Sequence, residues 1–264
     1  EYDKPRVTSD GSFGGIDSSN AALQDDDRGV ALPSAQTLGR GWAVCASAFP
    51  RAPRAPSDAG VGGYCVDAES AYSFCCVQEA DLWLQCFCWW DEVGSSGFVV
   101  DYRMGFGGAF APNRFERLSA LVSAYIQFLQ DEFDDANPYP LCAQRWISDR
   151  EAMQSRGELP PGRLQTSPRY LQPFIDDFCG ATSTDKVSPP PSVASIRIDP
   201  KFVEALGHTP FAADTRVHVH AQLAVLGLRT VGLVAAPHKI ACCEPLPALG
   251  LLFRGTDQRI CCPP

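Results

Sequence analysis

Three acids stand where acids are costly. Asp67 closes the apolar run Tyr64-Cys65-Val66, and Asp176-Asp177 interrupt an apolar stretch from Tyr170 to Cys179. A carboxylate in an apolar strand is expensive unless it is paired or binds a metal. Carboxylates converging at strand ends make a hard oxygen site of the kind that suits Mg²⁺, with Mn²⁺ as its substitute. Two such ions about 4 Å apart can activate an attacking 3′-hydroxyl and stabilise a leaving pyrophosphate in an in-line displacement. Taken alone, the Asp176-Asp177 pair is more simply an ordinary acidic turn.

Other chemistry-bearing residues give less. His218-Val219-His220 spaces two imidazoles two apart, which on a helix does not aim them at one metal and reads as packed or solvated histidines. Gly105-Phe106-Gly107-Gly108 lacks the strand-to-helix frame of a dinucleotide fingerprint, and there is no GKS or GKT phosphate loop. Of twelve cysteines, several fall in adjacent pairs (Cys75-Cys76, Cys242-Cys243, Cys261-Cys262), while Cys86 and Cys88 alternate along an apolar run. No pair of CxxC motifs occurs, so reduced, mostly buried thiols of an intracellular protein are the expectation.

The elements that must position the acids are partly legible. Residues 1 to 60 are rich in Gly, Ser, Asp, Arg and Pro, with few periodic apolar positions. Order improves at Val61, where Tyr64-Cys65-Val66 reads as a buried strand leading into Asp67. Leu82 to Trp90 and Gly97 to Tyr102 are further strand candidates around a turn at Asp91 to Ser96. From Pro112 to about Phe133 the apolar period becomes helical, through Phe115, Leu118, Leu121, Val122, Tyr125, Leu129 and Phe133. Residues at about 134–168 read as an inserted loop, and 183–213, with its run Pro189-Pro190-Pro191, as a second one. Tyr170 to Cys179 has the pattern of a hairpin with two acids at its turn. Asp214 to Val231 reads as another helix, and Leu249 to Cys262 as strand, turn and strand. This mixed order predicts an α+β sheet with helices on one face.

The order of these segments resembles the successive motifs of the reverse transcriptase family over most of the chain. Asp67-Ala68-Glu69-Ser70-Ala71-Tyr72 is similar to the family's first catalytic motif. Met104 to Pro112, followed by Arg114-Phe115, resembles the Leu-Pro-Phe-Gly-Leu-x-x-Ala-Pro segment that lines the nucleotide pocket, with Met104-Gly105 replacing the usual Leu-Pro. Phe174-Ile175-Asp176-Asp177 resembles the aromatic-x-Asp-Asp hairpin. His238-Lys239 and Leu249-Gly250 resemble the Lys of the next motif and the Leu-Gly of the primer grip. Lys4-Pro5-Arg6, ahead of Asp10 and Asn20, is similar to a basic strand of the fingers. The Ala-Pro-Asn-Arg-Phe pattern and the closing hairpin look most like retroelements of the tyrosine-recombinase (DIRS-like) group.

The resemblance implies a right-hand polymerase palm over 61–264, with a mixed or antiparallel sheet, and a partial fingers segment over 1–60. It implies RNA-directed DNA synthesis with two Mg²⁺ ions (or Mn²⁺) on Asp67, Asp176 and Asp177 and the carbonyl of Ala68. Lys4 and Arg6 would meet the triphosphate, Tyr72 would exclude a 2′-hydroxyl, and Phe106 and Gly107 would shape the pocket. Lys239 would neutralise or protonate pyrophosphate, and Leu249 and Gly250 would hold the primer. Implied partners are an RNA or DNA template with its primer, dNTPs, and thumb, ribonuclease H and recombinase or integrase modules beyond a fragment of this extent.

With 45% hydrophobic and 20% charged residues the chain can bury a core, and no apolar run suggests a membrane span. A net charge of −9 runs against a dedicated nucleic-acid binder. Two rivals follow: an inactive retroelement relic that at most binds nucleic acid, and a cysteine-rich metal-binding interaction protein using Cys86 and Cys88.

Overall fold

The computed structural model describes residues 35–49, 60–69, 71–76, 79–80, 86–90, 93–103, 111–162, 165–255 and 259–261. In chain order the elements are α1 (Ala35–Ala46), β1 (Val61–Asp67), β2 (Cys86–Trp90), β3 (Ser96–Val100), α2 (Ala111–Ala136), α3 (Leu141–Ser155), β4 (Tyr170–Phe174) and β5 (Asp177–Ser183). There follow α4 (Lys201–Ala205), β6 (Thr209–Pro210), α5 (Arg216–Thr230), β7 (Ala241–Glu244), β8 (Leu246–Ala248), β9 (Leu251–Arg254) and β10 (Arg259–Cys261). Among the described residues no helix is long and apolar enough to cross a membrane. The chain divides into two compact units, residues 32–69 with 120–264, and residues 1–31 with 70–119.

The larger unit is built on a five-stranded sheet in the order β4-β5-β1-β7-β6, antiparallel at each pairing. β1 is central and buried along both faces until it reaches Asp67, and its side chains alternate between those faces. Gly63 and Cys65 face α1, where a Cβ on Gly63 would overlap the Trp42 ring. Cys65 joins Leu38, Trp42, Cys179, Leu246 and Phe253 in one core cluster there. Tyr64 and Val66 point the opposite way, toward α5 and the second half of α2. The Tyr64 ring lies over Gly180, where any Cβ would collide with it, and Gln130 of α2 donates to the Tyr64 hydroxyl at 2.6 Å.

Helices therefore cover both faces of the sheet, whereas the sequence predicts one. The difference is α1, which lies in a stretch dominated by loop-forming residues. Its own apolar positions, Leu38, Trp42, Cys45 and Ala46, do recur at helical spacing and are all buried. The 134–168 stretch, expected as a loop, carries α3. That helix lacks an apolar stripe, with only Ala143 of it buried. It is fixed instead by Trp146 and Ile147 packing on the core cluster and by the Trp146 indole N–H donating to Ser47 Oγ at 3.0 Å. The 183–213 stretch contains α4 and β6. In the smaller unit β2 and β3 form an antiparallel hairpin, Cys86 opposite Val100 and Trp90 opposite Ser96.

α5 is buried nearly all round, which forces its polar side chains to find partners. Arg216, fully buried, bonds Asp134 at 2.7 Å and Asp185 at 2.9 Å, and lies 4.2 Å from the Tyr139 ring centre. Asp134 also takes the Tyr139 hydroxyl at 2.6 Å and sits 3.0 Å from His220 Nε2. His220 is thus a packed histidine, and burial lowers its pKa. Burial alone would push the Asp134 carboxyl up, but His220, Arg216 and Tyr139 outweigh it and hold the group down to about 2. An unfolded Asp titrates near about 3.9. The stability this group contributes is therefore present above that pH and is lost as the pH falls through about 2. We predict that Asp134→Ala lowers stability by about 3–5 kcal/mol in urea denaturation at neutral pH, because Arg216 is left buried beside a missing partner. Asp134→Asn should flatten the acid limb of the wild-type stability profile.

Candidate carboxylate site

The pairing of β1 with β5 decides where the acids fall. The Ala68 N–H donates to the Asp176 carbonyl at 2.9 Å, and at the other end the Thr184 N–H donates to the Gly60 carbonyl at 3.0 Å. These mark the hydrogen-bonded pairs of the ladder. The register sets Cys65 opposite Cys179 and Asp67 opposite Asp177, in the alternate, non-hydrogen-bonded positions. There the Cα atoms approach to about 4.5 Å and the side chains are closest. Asp67 and Asp177 thus project side by side from one face, one step beyond the cysteine pair that ends the apolar core. The two sulfurs are 3.1 Å apart, and Cys65 Sγ is 3.9 Å from Asp177 Oδ1.

Asp176 comes from the two-residue turn joining β4 to β5, between the paired Phe174 and Asp177. The first central residue, Ile175, has φ 57°, the left-handed conformation that a hairpin of this kind usually gives to glycine. A β-branched residue there is strained by roughly 1–2 kcal/mol. The β8–β9 turn is similar in kind. Leu249 and Gly250 both have positive φ, 52° and 74°, and Leu249 packs against the core cluster. Among the described residues Ile175 and Leu249 are the non-glycine residues in this region of backbone space.

Lys239 reaches the acids from another direction. Residues 234–236 run beside the end of β1: Glu69 N–H donates to Val234 at 2.7 Å, Ala236 N–H to the Asp67 carbonyl at 2.9 Å, and Ala68 bridges Ala235. A short 3₁₀ turn, Pro237–Lys239, then delivers the lysine. Its ammonium bonds both Asp67 oxygens, at 2.9 and 3.1 Å.

One ammonium does not neutralise three carboxylates. Burial first, then the charges of Asp176 and Asp67, raise Asp177 to about 6, despite Lys239 and a contact from Cys65. Asp176 is raised too, by burial and by Asp67. The Cys65 thiol is pushed well up by its bond with Cys179 and by burial, which makes it a poor nucleophile. Among the described residues no three His, Cys, Asp or Glu side chains gather closely enough to hold a metal ion as they stand. The donor chemistry fits one nonetheless, since hard oxygens crowd at one end of the sheet with unbalanced negative charge.

Of the residues singled out by sequence, the structure brings Asp67, Ala68, Asp176, Asp177 and Lys239 together in the larger unit, which also holds Leu249 and Gly250. Tyr72 belongs to the smaller unit, buried edge-to-face against Phe115 at 5.5 Å between ring centres. Lys4, Arg6, Phe106 and Gly107 lie outside the described residues. Sequence reading missed the thiol pair beneath the acids. Its signal is the two-residue spacing from each cysteine to an acid, Cys65 to Asp67 and Asp177 to Cys179, which places all four on one face once the strands pair.

No protein-family model matches the chain, and no curated protein matches it in sequence. Among solved structures it is similar to a foamy viral protease-reverse transcriptase in complex with double-stranded DNA, at 16% identity and a TM-score of 0.34. The match covers 74% of this chain and 21% of that one, so the chain spans about a fifth of that protein's length.

Two outcomes are expected. Ile175→Gly and Ile175→Ala both remove the branched side chain, but alanine keeps a Cβ and only glycine accepts φ 57° without strain. The glycine variant should be the more stable by about 1 kcal/mol in urea denaturation. A carboxyl with a raised folded pKa favours the folded state at low pH, and that advantage is lost as the unfolded chain ionises first. In EDTA the wild type should therefore lose stability as the pH rises from about 4 to about 6, and Asp177→Asn should lose less over the same window.

Proposed function

We propose that the chain is the palm-bearing part of an RNA-directed DNA polymerase, joining dNTPs to a primer 3′-hydroxyl. The observation that carries this reading is the register of β1 on β5, which sets Asp67 beside Asp177 with Asp176 in the adjoining turn. Asp67, Asp176 and Asp177, with the Ala68 carbonyl, would hold two Mg²⁺ ions, and Mn²⁺ could replace them. The ions would supply Lewis acidity toward the primer hydroxyl and neutralise phosphate charge.

The chain's own residues do the rest. Asp67 and Asp177 are aimed by a strand pair buried on both faces, and Asp176 by a turn with little freedom. Preorganisation of this kind removes the cost of gathering like charges at the moment of reaction. Lys239 offers a cation to the departing pyrophosphate. By the same resemblance Tyr72 selects the deoxy sugar, Phe106 and Gly107 wall the pocket, Lys4 and Arg6 meet the triphosphate, and the Leu249-Gly250 turn holds the primer. The partners proposed are an RNA or DNA template with primer, dNTPs, and thumb, ribonuclease H and recombinase or integrase modules. Free cysteines throughout the described residues accord with an intracellular setting.

Primer extension on an RNA template with dNTPs and Mg²⁺ tests the proposal. Extension by the wild type should fall about a hundredfold or more in Asp67→Asn and in Asp176→Asn. A folded protein that binds primer-template and extends nothing would sink the reading, leaving a polymerase-shaped relic.

A further inference from the structure

We infer that Lys239 is a built-in competitor for the divalent ion: its ammonium occupies Asp67 when that carboxylate carries no metal, and must leave before Asp67 joins Asp176 and Asp177 around one. The inference rests on the reading of the three acids as a metal site. It assigns Lys239 a positioning role at Asp67 that is separate from any contact with pyrophosphate.

Three observations support it. The lysine takes both Asp67 oxygens rather than one, so the carboxylate is fully engaged by a cation of the wrong kind. The strand register brings Asp67 and Asp177 to adjacent positions with Asp176 in the adjoining turn, so a cation held on Asp67 sits beside the other two acids. Finally, the lysine is not a stray surface chain. The Lys239 N–H donates to the Ala236 carbonyl at 2.9 Å, and the Ala236 N–H donates to the carbonyl of Asp67 itself at 2.9 Å. The root of the side chain is thereby tied to the strand whose carboxylate it holds, while the side chain stays 44% exposed and has solvent to swing into.

The residue type suits such a part. An ammonium on a flexible four-carbon stem is a compact charge that can come and go, whereas a guanidinium would lock onto the carboxylate through a rigid fork. Without a divalent ion the lysine limits repulsion among the acids, and with one it is released beside them as a free cation.

The test uses the whole chain and Mn²⁺ alone as probe, with free Mn²⁺ followed by electron paramagnetic resonance and melting followed with and without the ion. Lys239→Met should bind Mn²⁺ about tenfold more tightly than wild type, since one competing charge has gone. In EDTA the same variant should melt below wild type, and it should gain more on adding Mn²⁺. Lys239→Arg, which keeps the competitor, should bind no more tightly than wild type. Equal or weaker Mn²⁺ binding by Lys239→Met overturns the inference while leaving the metal site standing, provided Asp177→Asn loses the ion. If wild type and Lys239→Met both bind no Mn²⁺ at millimolar concentration, the metal-site reading fails and takes the inference with it.

Discussion

The antiparallel register between β1 and β5 is the constraint on which the rest of this structure depends. Side chains alternate strictly along a strand, so a slip of one residue would carry every inward group to the other face. In the observed register one face reads glycine, cysteine, aspartate along β1, answered by alanine, cysteine, aspartate on β5. The same pairing that completes the core beneath α1 therefore brings two acids together at its rim. Neither strand could present its acid there if the other were displaced.

The molecule holds two groups of buried or half-buried charge and treats them in opposite ways. Around Asp134 every strong charge is matched: two arginines, a tyrosine hydroxyl and an imidazole meet carboxylates within a close-packed layer. The outcome is an acid held firmly ionised. Around Asp67 the balance is left open, and the outcome is an acid whose neighbours resist ionisation. A site made only to hold the fold together gains from the first arrangement. The second costs stability, and such a cost fits a place kept for something that arrives from outside.

How much of this was legible from the sequence depends on the range of the signal. The helical period from Pro112 and the acid-bearing hairpin at Tyr170 to Cys179 are local patterns, and the sequence bounds of both lie close to those of the elements. α3 escaped because two prolines precede it and its hold on the core is one turn, Ala143 with Trp146 and Ile147, rather than a stripe along its length. The Asp134–Arg216 pair joins residues 82 apart, and nothing near either one announces the other. The acids themselves are singled out by order and resemblance. Their alignment with the thiol pair needed the register, which no stretch of sequence states. The resemblance puts Tyr72 in a nucleotide pocket, and what the structure gives for it is an aromatic partner, Phe115, within its own unit.

One absent methyl group has a long reach. The Tyr64 ring rests where Gly180 has no side chain, and the register pairs those two residues directly. A slide of two residues would keep both faces correct in polarity, yet it would drive that ring into Phe178 or Thr182. Gly180 thus works as the ward of a lock that favours this alignment over its neighbours. The key is turned on the side of the sheet away from the carboxylates, and its bolt, three residues further along β1, is the meeting of Asp67 with Asp177. Any change that enlarges position 180 must be answered at position 64, or the acids part company without having been touched.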